Sequence, residues 1–287
     1  MITAGAGGAA DFAARIIAAE LAGSLGQQVI VENRGGTANN RTLAVVNAPP
    51  DGYTLLLASS STWLLPFMQK VAYDPIQDLS PISLAVKQPL VLVVHPSLPI
   101  KSIRELIALA KSRPGELNYA SGAGASSNQL AAALFNALAH VNIVLVPYKD
   151  TAQGLNDVIA GHVQLQFSGA SSTAAHIKSG RLRALAVTSA QPSALLSGLP
   201  TVAASGVPGF EAGTTTGIFG PVGVPAAIIM RLNQEIARVL NLVSVKERFL
   251  SAGSEAVSSS PEQLAASIKS EMAETGKVIR DNGIRAD

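Results

Sequence analysis

Short apolar runs alternate with helical stretches along almost the whole chain, and this alternation narrows the fold more than any other feature. Strands are predicted at residues 29–32, 54–58, 83–85, 90–94, 117–120, 143–146, 163–167, 182–187 and 218–220, with helices between most of them. Strands separated by helices pair side by side through helical crossovers, which predicts an α/β fold with mainly parallel strands. A chain of 287 residues can fill one large domain or two units of roughly 100 to 150 residues. Two segments favour the second arrangement. "LVLVVHPSLPIKS" and "GIFGPVGVPAA" each run from an apolar strand into proline and small residues before a new helix. As crossings they divide the chain into a first lobe of residues 1–97 and 220–287 and a second of 98–219, joined by a hinge of two crossing strands beside a cleft.

Helix starts are marked where a Ser and a later Glu or Gln can satisfy each other's free backbone donors: Ser102 with Glu105, Ser126 with Gln129, and Ser260 with Gln263. Pro261 at the first helical position strengthens the last of them. Met1 and Ile2 run directly into the turn "TAGAGGAAD". An α/β chain rarely starts at the end of its first strand, so a leader and the beginning of that strand are expected to precede Met1.

Four clusters of small and hydroxylated residues follow predicted strands. The first is "GAGGAAD", with Gly7, Gly8 and Asp11; the second is "ASSSTW", with Ser60 and Ser61. "NYASGAGASSNQ" holds Ser121, Gly122, Ser126 and Ser127, and "FSGASSTAAH" holds Ser168, Ser171, Ser172 and Thr173. Open α/β sheets bind ligands at the carboxyl ends of their strands, where free N–H groups and helix dipoles point at an anion. Each cluster alone also reads as an ordinary capped strand-to-helix turn, and the shared position is what points to a site. The first cluster lacks the Lys and Ser or Thr of a nucleotide P-loop, and it fits only the loosest dinucleotide fingerprint. No cluster has the spacing of a nucleophile elbow.

Other chemistries find little support. His95, His140, His162 and His176 show no metal-ligand spacing, and no pair of carboxylates stands out for acid and base work. Trp63, the sole tryptophan, suits a core or a ligand wall equally. Absence of cysteine excludes disulfides and thiolate catalysis. Net charge is +2, and the basic residues are scattered without interleaved aromatics, so nucleic acid is not an expected partner. No cofactor is implied. The uncharged stretch 117–148 carries too many Asn, Gln and Ser residues to span a membrane.

"VIVENRGG", "PPDGYTLLLASSST", "LVVHPSLPIKSIRELIALAKSRPGELNYASG", "VPYKDTAQGLNDVIAGHV" and "LPTVAASGVPGFE" together give a resemblance that runs over essentially the whole chain. The sequence resembles the substrate-binding receptors of tripartite tricarboxylate transporters, the Bug family of periplasmic binding proteins. The resemblance implies a two-lobed periplasmic-binding-protein-like (type II) α/β fold that closes on a small organic carboxylate and delivers it to membrane transporter subunits. It implies a periplasmic location, a monomer and no catalysis. The carboxylate would be gripped by the glycine turn (Gly7, Gly8, Asp11) and the serine turn (Ser121, Gly122, Ser126, Ser127), with Ser60, Ser61, Ser168 and Thr215 facing the same cleft. Family members often carry an Asp where this chain has Ser168, and an aromatic pair at Thr215 and Thr216. The smaller, uncharged residues here imply a roomier and less acidic cleft, suited to a dicarboxylate or aromatic carboxylate without an amino group. The alternatives are a ligand-sensing subunit for a membrane signalling protein and a serine-dependent enzyme.

Overall fold

The computed structural model describes residues 1–3, 9–34, 38–122 and 126–285. The chain divides into two compact units, Met1–Lys87 with Thr214–Lys277, and Gln88–Gly213 with Val278–Asp287. The divisions fall at 87/88 and 213/214, where the sequence suggested 97/98 and 219/220, and the chain passes between units a third time near the end of its last helix.

The first unit contains strands β1 (Ile2–Thr3), β2 (Glu32–Asn33) and β3 (Leu56–Ser59), with helices α1 (Ala9–Leu25), α2 (Ala38–Val46) and α3 (Ser61–Leu64). β1 pairs parallel with both β2 and β3. Strand β4 (Leu79–Val94) begins in this unit and ends in the other. After the second unit the chain returns through β9 (Gly213–Pro221), α8 (Ala226–Leu240), α9 (Val243–Ser251), β10 (Glu255–Ala256) and α10 (Pro261–Asp281). β9 lies antiparallel to β3, and β10 antiparallel to β4. Ile16, Ile17 and Leu21 of α1 pack with Ile236 and Val239 of α8 and with Leu57 and Ile218 of the sheet. Complete burial of such side chains contributes about 1.5–3 kcal/mol each.

Trp63 belongs to this core. It is 1% exposed, its ring lies 5.9 Å from that of Phe219, and its Nε1 donates to Glu271 Oε2 at 2.9 Å. The side chain is therefore core, not ligand wall. Trp63→Phe should cost about 2 kcal/mol, because the hydrogen bond to a carboxylate is lost while most apolar contact is kept; chemical denaturation checks this.

The second unit holds α4 (Ile103–Ser112), β5 (Asn118–Ser121), α5 (Ser127–Ala139), β6 (Val144–Pro147), α6 (Thr151–Ala160), β7 (Leu165–Gly169), α7 (Ala170–Lys178) and β8 (Arg183–Val187). β5, β6 and β7 are parallel, in the order β7-β5-β6. The second half of β4 pairs antiparallel with β7 on one side and β8 on the other. Phe135, Phe167 and Phe210 form an aromatic triangle with centroids 5.8 to 6.1 Å apart.

The sheet pairing is mixed, not mainly parallel. Helical crossovers make neighbours parallel, but β4 and β9 arrive from the other unit without one, and each lies antiparallel to strands beside it. Residues 83–85 and 90–94 are likewise parts of one strand, because Lys87 to Pro89 interrupt the apolar pattern without interrupting the extended backbone.

The caps follow the sequence closely. Ser260 and Gln263 close a reciprocal box, with Gln263 N donating to Ser260 Oγ at 3.2 Å and Ser260 N to Gln263 Oε1 at 2.9 Å. Ser102 Oγ accepts from Glu105 N at 3.2 Å, whereas the Glu105 carboxylate reaches back to the amide of Lys101.

Candidate functional site

In the second unit, parallel pairing aligns Ser121 with Pro147 and Tyr119 with Leu165. The carboxyl ends of β5, β6 and β7 thus come to one edge, and α5, α6 and α7 start from it with Ser126, Asp150 and Gly169 as N-caps. Each helix start leaves backbone N–H groups without intrahelical partners, and the dipoles add partial positive charge at this edge.

Two layers of hydroxyls line it. Ser121 and Ser168 are both 0% exposed. Ser121 Oγ lies 3.0 Å from Ser126 Oγ, which also accepts from Gln129 N at 3.4 Å. Ser168 Oγ lies 3.2 Å from Ser172 Oγ, and Ser172 donates to Gly169 O at 2.9 Å. A hydroxyl has one proton, so with that of Ser172 on Gly169 O, Ser168 is the donor of its pair. Ser126 and Ser127 are half-buried and Ser172 is exposed, so these three reach the surface above the buried pair. Asn128 ties the start of α5 to the end of β7 by donating its amide to Phe167 O. The side-chain bonds among these residues go to neutral groups. The Asp150 carboxylate accepts from Gln153 N at 2.8 Å.

Gly122 is required by the approach of α6. A Cβ there would stand 2.9 Å from Thr151 Oγ1 and 3.2 Å from Thr151 N. The start of α5 at Ser126 and the start of α7 after Ser168 are legible from their clusters. Ser172 reads in sequence only as a cluster member, and the α6 start carries no small-residue cluster, although Asp150 with Gln153 in "KDTAQ" has capping spacing.

The first unit places its expected residues in two groups. Ser60 N donates to Thr215 O at 2.8 Å, and Thr215 N to Ser60 Oγ at 3.0 Å, which closes the end of the β3–β9 ladder. Ser61 is exposed and its hydroxyl lies 2.9 Å from that of Ser59. Asp11 lies in the first turn of α1, 5% exposed, and its carboxylate is held by Arg15 Nε at 3.0 Å and Asn33 Nδ2 at 2.8 Å. These bonds anchor β2 to α1. Gly7 and Gly8 lie outside the described residues.

No cluster of His, Cys, Asp or Glu among the described residues could hold a metal ion. Nor is any described helix long and apolar enough to cross a membrane. Tyr119, on β5 behind the edge, is pushed up to about 12 by burial and stays neutral.

The family model described as "Tripartite tricarboxylate transporter family receptor" matches residues 13–284. This chain belongs to that family. Protein BugT of Bordetella pertussis is 36% identical over 283 residues, spanning 97% of this chain and 87% of BugT. Among solved structures, Rpa4515 of R. palustris with adipate is 32% identical, with a TM-score of 0.72 over 99% of this chain and 97% of its own. MatC of Rhodopseudomonas palustris with bound malate is 27% identical, with a TM-score of 0.69 over 97% and 98%. Tripartite tricarboxylate transporter receptors are periplasmic solute-binding proteins, and the fold described above is that of periplasmic binding proteins. The chain is a solute receptor of the Bug type, not an enzyme.

Proposed function

We propose that this receptor binds a small organic carboxylate without an amino group, a dicarboxylate or an aromatic carboxylate, and delivers it as a monomer to a tripartite tricarboxylate-type membrane transporter. The observation that carries the reading is the donor edge of the second unit, where three helix starts, one of them capped by the Asp150 carboxylate, and the Ser126 hydroxyl converge. Hydrogen bonds to a charged group contribute about 1.5–3 kcal/mol each, so four or five fixed donors offset much of the cost of stripping a carboxylate of water. Ser168, where an acidic residue would meet an ammonium group, offers no charge. Adipate and malate, bound by Rpa4515 and MatC, are themselves acids without an amino group. A role in sensing would use the same ligand and a different membrane partner.

Calorimetry and thermal shift against adipate, malate, benzoate and glutamate test the ligand class. One of the first three should bind, whereas glutamate binding alone would overturn the reading. Two substitutions separate helix capping from ligand binding. Ser126→Ala should lower stability by about 1 kcal/mol through the lost cap and affinity roughly tenfold. Ser126→Asp keeps a good cap but sets an anion at the donor edge, so stability should be retained while binding is lost. Equal affinity of Ser126→Asp and wild type would remove Ser126 from the site.

A further inference from the structure

Gln166 sits on β7 two residues before Ser168 and is 0% exposed. Antiparallel pairing puts it opposite Val93 of β4, and the parallel register that aligns Tyr119 with Leu165 puts it beside Ala120 of β5. Val93 and Ala120 belong to an apolar cluster that includes Leu155 and Val158 of α6. Alternation along β7 gives Gln166 and Ser168 the same face of the sheet, so a primary amide lies one step inward from the hydroxyl at the edge.

The amide head reaches the first turn of α6, where its Nε2 donates to Thr151 O at 3.1 Å. Gly154 lets the helix come this close: a Cβ there would stand 3.0 Å from the Ala120 Cβ and 3.1 Å from Tyr148 Cδ2. Thr151 is thus held from two strands, by the tight approach of Gly122 after β5 and by the bond from Gln166 on β7. The other half of the amide is left over. Gln166 Oε1 is buried and has no hydrogen-bond partner among the described residues. A side chain that gains one bond and buries an unpaired carbonyl loses more than the bond returns, and an apolar side chain of the same length would fill the space without that cost. Buried polar groups that break the rule of satisfaction ask for a reason other than stability, and sites that act are where such exceptions gather.

We propose that Gln166 is a positioning residue of the solute site: through Thr151 it fixes the start of α6, so that the free amides of that helix meet the bound carboxylate together with those of α5 and α7. The role rests on the reading of this edge as the solute site. Gln166 itself touches no solute. Donors that bind a charged group must be held to within about 0.5 Å of their productive places, and a buried amide anchored in the sheet supplies that support from behind.

The test compares wild type with Gln166→Met, which keeps length and burial but removes the amide, and with Val163→Ala, a loss of packing in the same apolar cluster away from α6. Affinity is measured by calorimetry for whichever of adipate, malate, benzoate and glutamate the wild type binds best, beside the thermal midpoint and hydrogen exchange at the Gln153 amide without solute. Gln166→Met should weaken binding at least roughly tenfold and speed exchange at Gln153 about tenfold, with a midpoint equal to or above that of wild type. Val163→Ala should lower the midpoint and leave affinity within about twofold. Unchanged affinity or unchanged Gln153 exchange in Gln166→Met overturns the proposal. So does an affinity loss that comes with a lowered midpoint in both variants, which would make Gln166 a packing residue only. Should glutamate be the acid bound, the ligand class proposed above falls while this comparison still decides the role of Gln166. Should none bind, the edge loses its assignment, and this role is overturned with it whatever the exchange at Gln153.

Discussion

Replacing Ser168 by aspartate should abolish high-affinity carboxylate binding, with a loss of at least roughly a hundredfold, and should destabilise the protein by about 3–5 kcal/mol at neutral pH. Ser168 is fully buried, and among the described residues its hydroxyl bonds to that of Ser172, which is already committed to Gly169 O. A carboxylate there is an uncompensated buried charge, and a second anion would be brought up to the same edge. Burial raises the folded-state pKa of the new group above its unfolded value. The folded state then holds the proton more tightly, so the deficit is smallest below the unfolded pKa, near pH 4, and grows as the pH rises through the folded pKa. Denaturation at acid and neutral pH, with calorimetry against adipate and glutamate, reads each part. Unchanged adipate affinity would remove Ser168 from the selectivity of the site. An ammonium-bearing ligand should lose less, since it brings its own counter-charge.

Gly213→Ala should lower the thermal midpoint by about 6–12 °C. Gly213 has φ +141°, a conformation that costs a side-chain-bearing residue about 1–3 kcal/mol. In addition, a Cβ at that position would lie 2.6 Å from Gln88 O and 3.2 Å from Pro89 Cα. The obstacle is backbone, so it cannot swing aside as a side-chain tip would. About 3 kcal/mol in a protein of this size corresponds to the stated shift. Gln88 is the residue at which β4 enters the second unit and Gly213 the one at which β9 leaves it, so the strain falls on the chain's two strand passages. A scanning calorimetry midpoint within 2 °C of wild type would show that this backbone relaxes freely.

Much of the architecture was legible because it rests on local chemistry. Ser260, Pro261 and Gln263 start a helix through groups within three residues of one another, and the strand-to-helix turns carry small residues where backbone must turn sharply. The candidate site was legible to the extent that it consists of helix starts. Ser126 announces its cap through Gln129, and Asp150 could have been found in the same way.

What the sequence could not show is which hydroxyls are buried under which. Ser121 and Ser168 look in sequence like Ser126 and Ser127, yet only the packing of β5, β7 and α5 puts the first two beneath the surface. Asp11 reads as a cap or ligand contact, and its partner Asn33 lies 22 residues away. Trp63 reads as core or wall, and Glu271, 208 residues distant, settles it as core.

By itself the sequence determined the α/β class, most helix starts, the placing of small-residue turns after strands, and membership of the receptor family, because periodicity, caps and turns are decided by neighbours along the chain. Only the tertiary structure decided that β4 is one strand passing from unit to unit, that the sheet pairing is mixed, and that Ser60 is taken up by Thr215, 155 residues away. A polar group's role depends on the groups that satisfy it, and when those come from distant segments the fold alone brings them within reach.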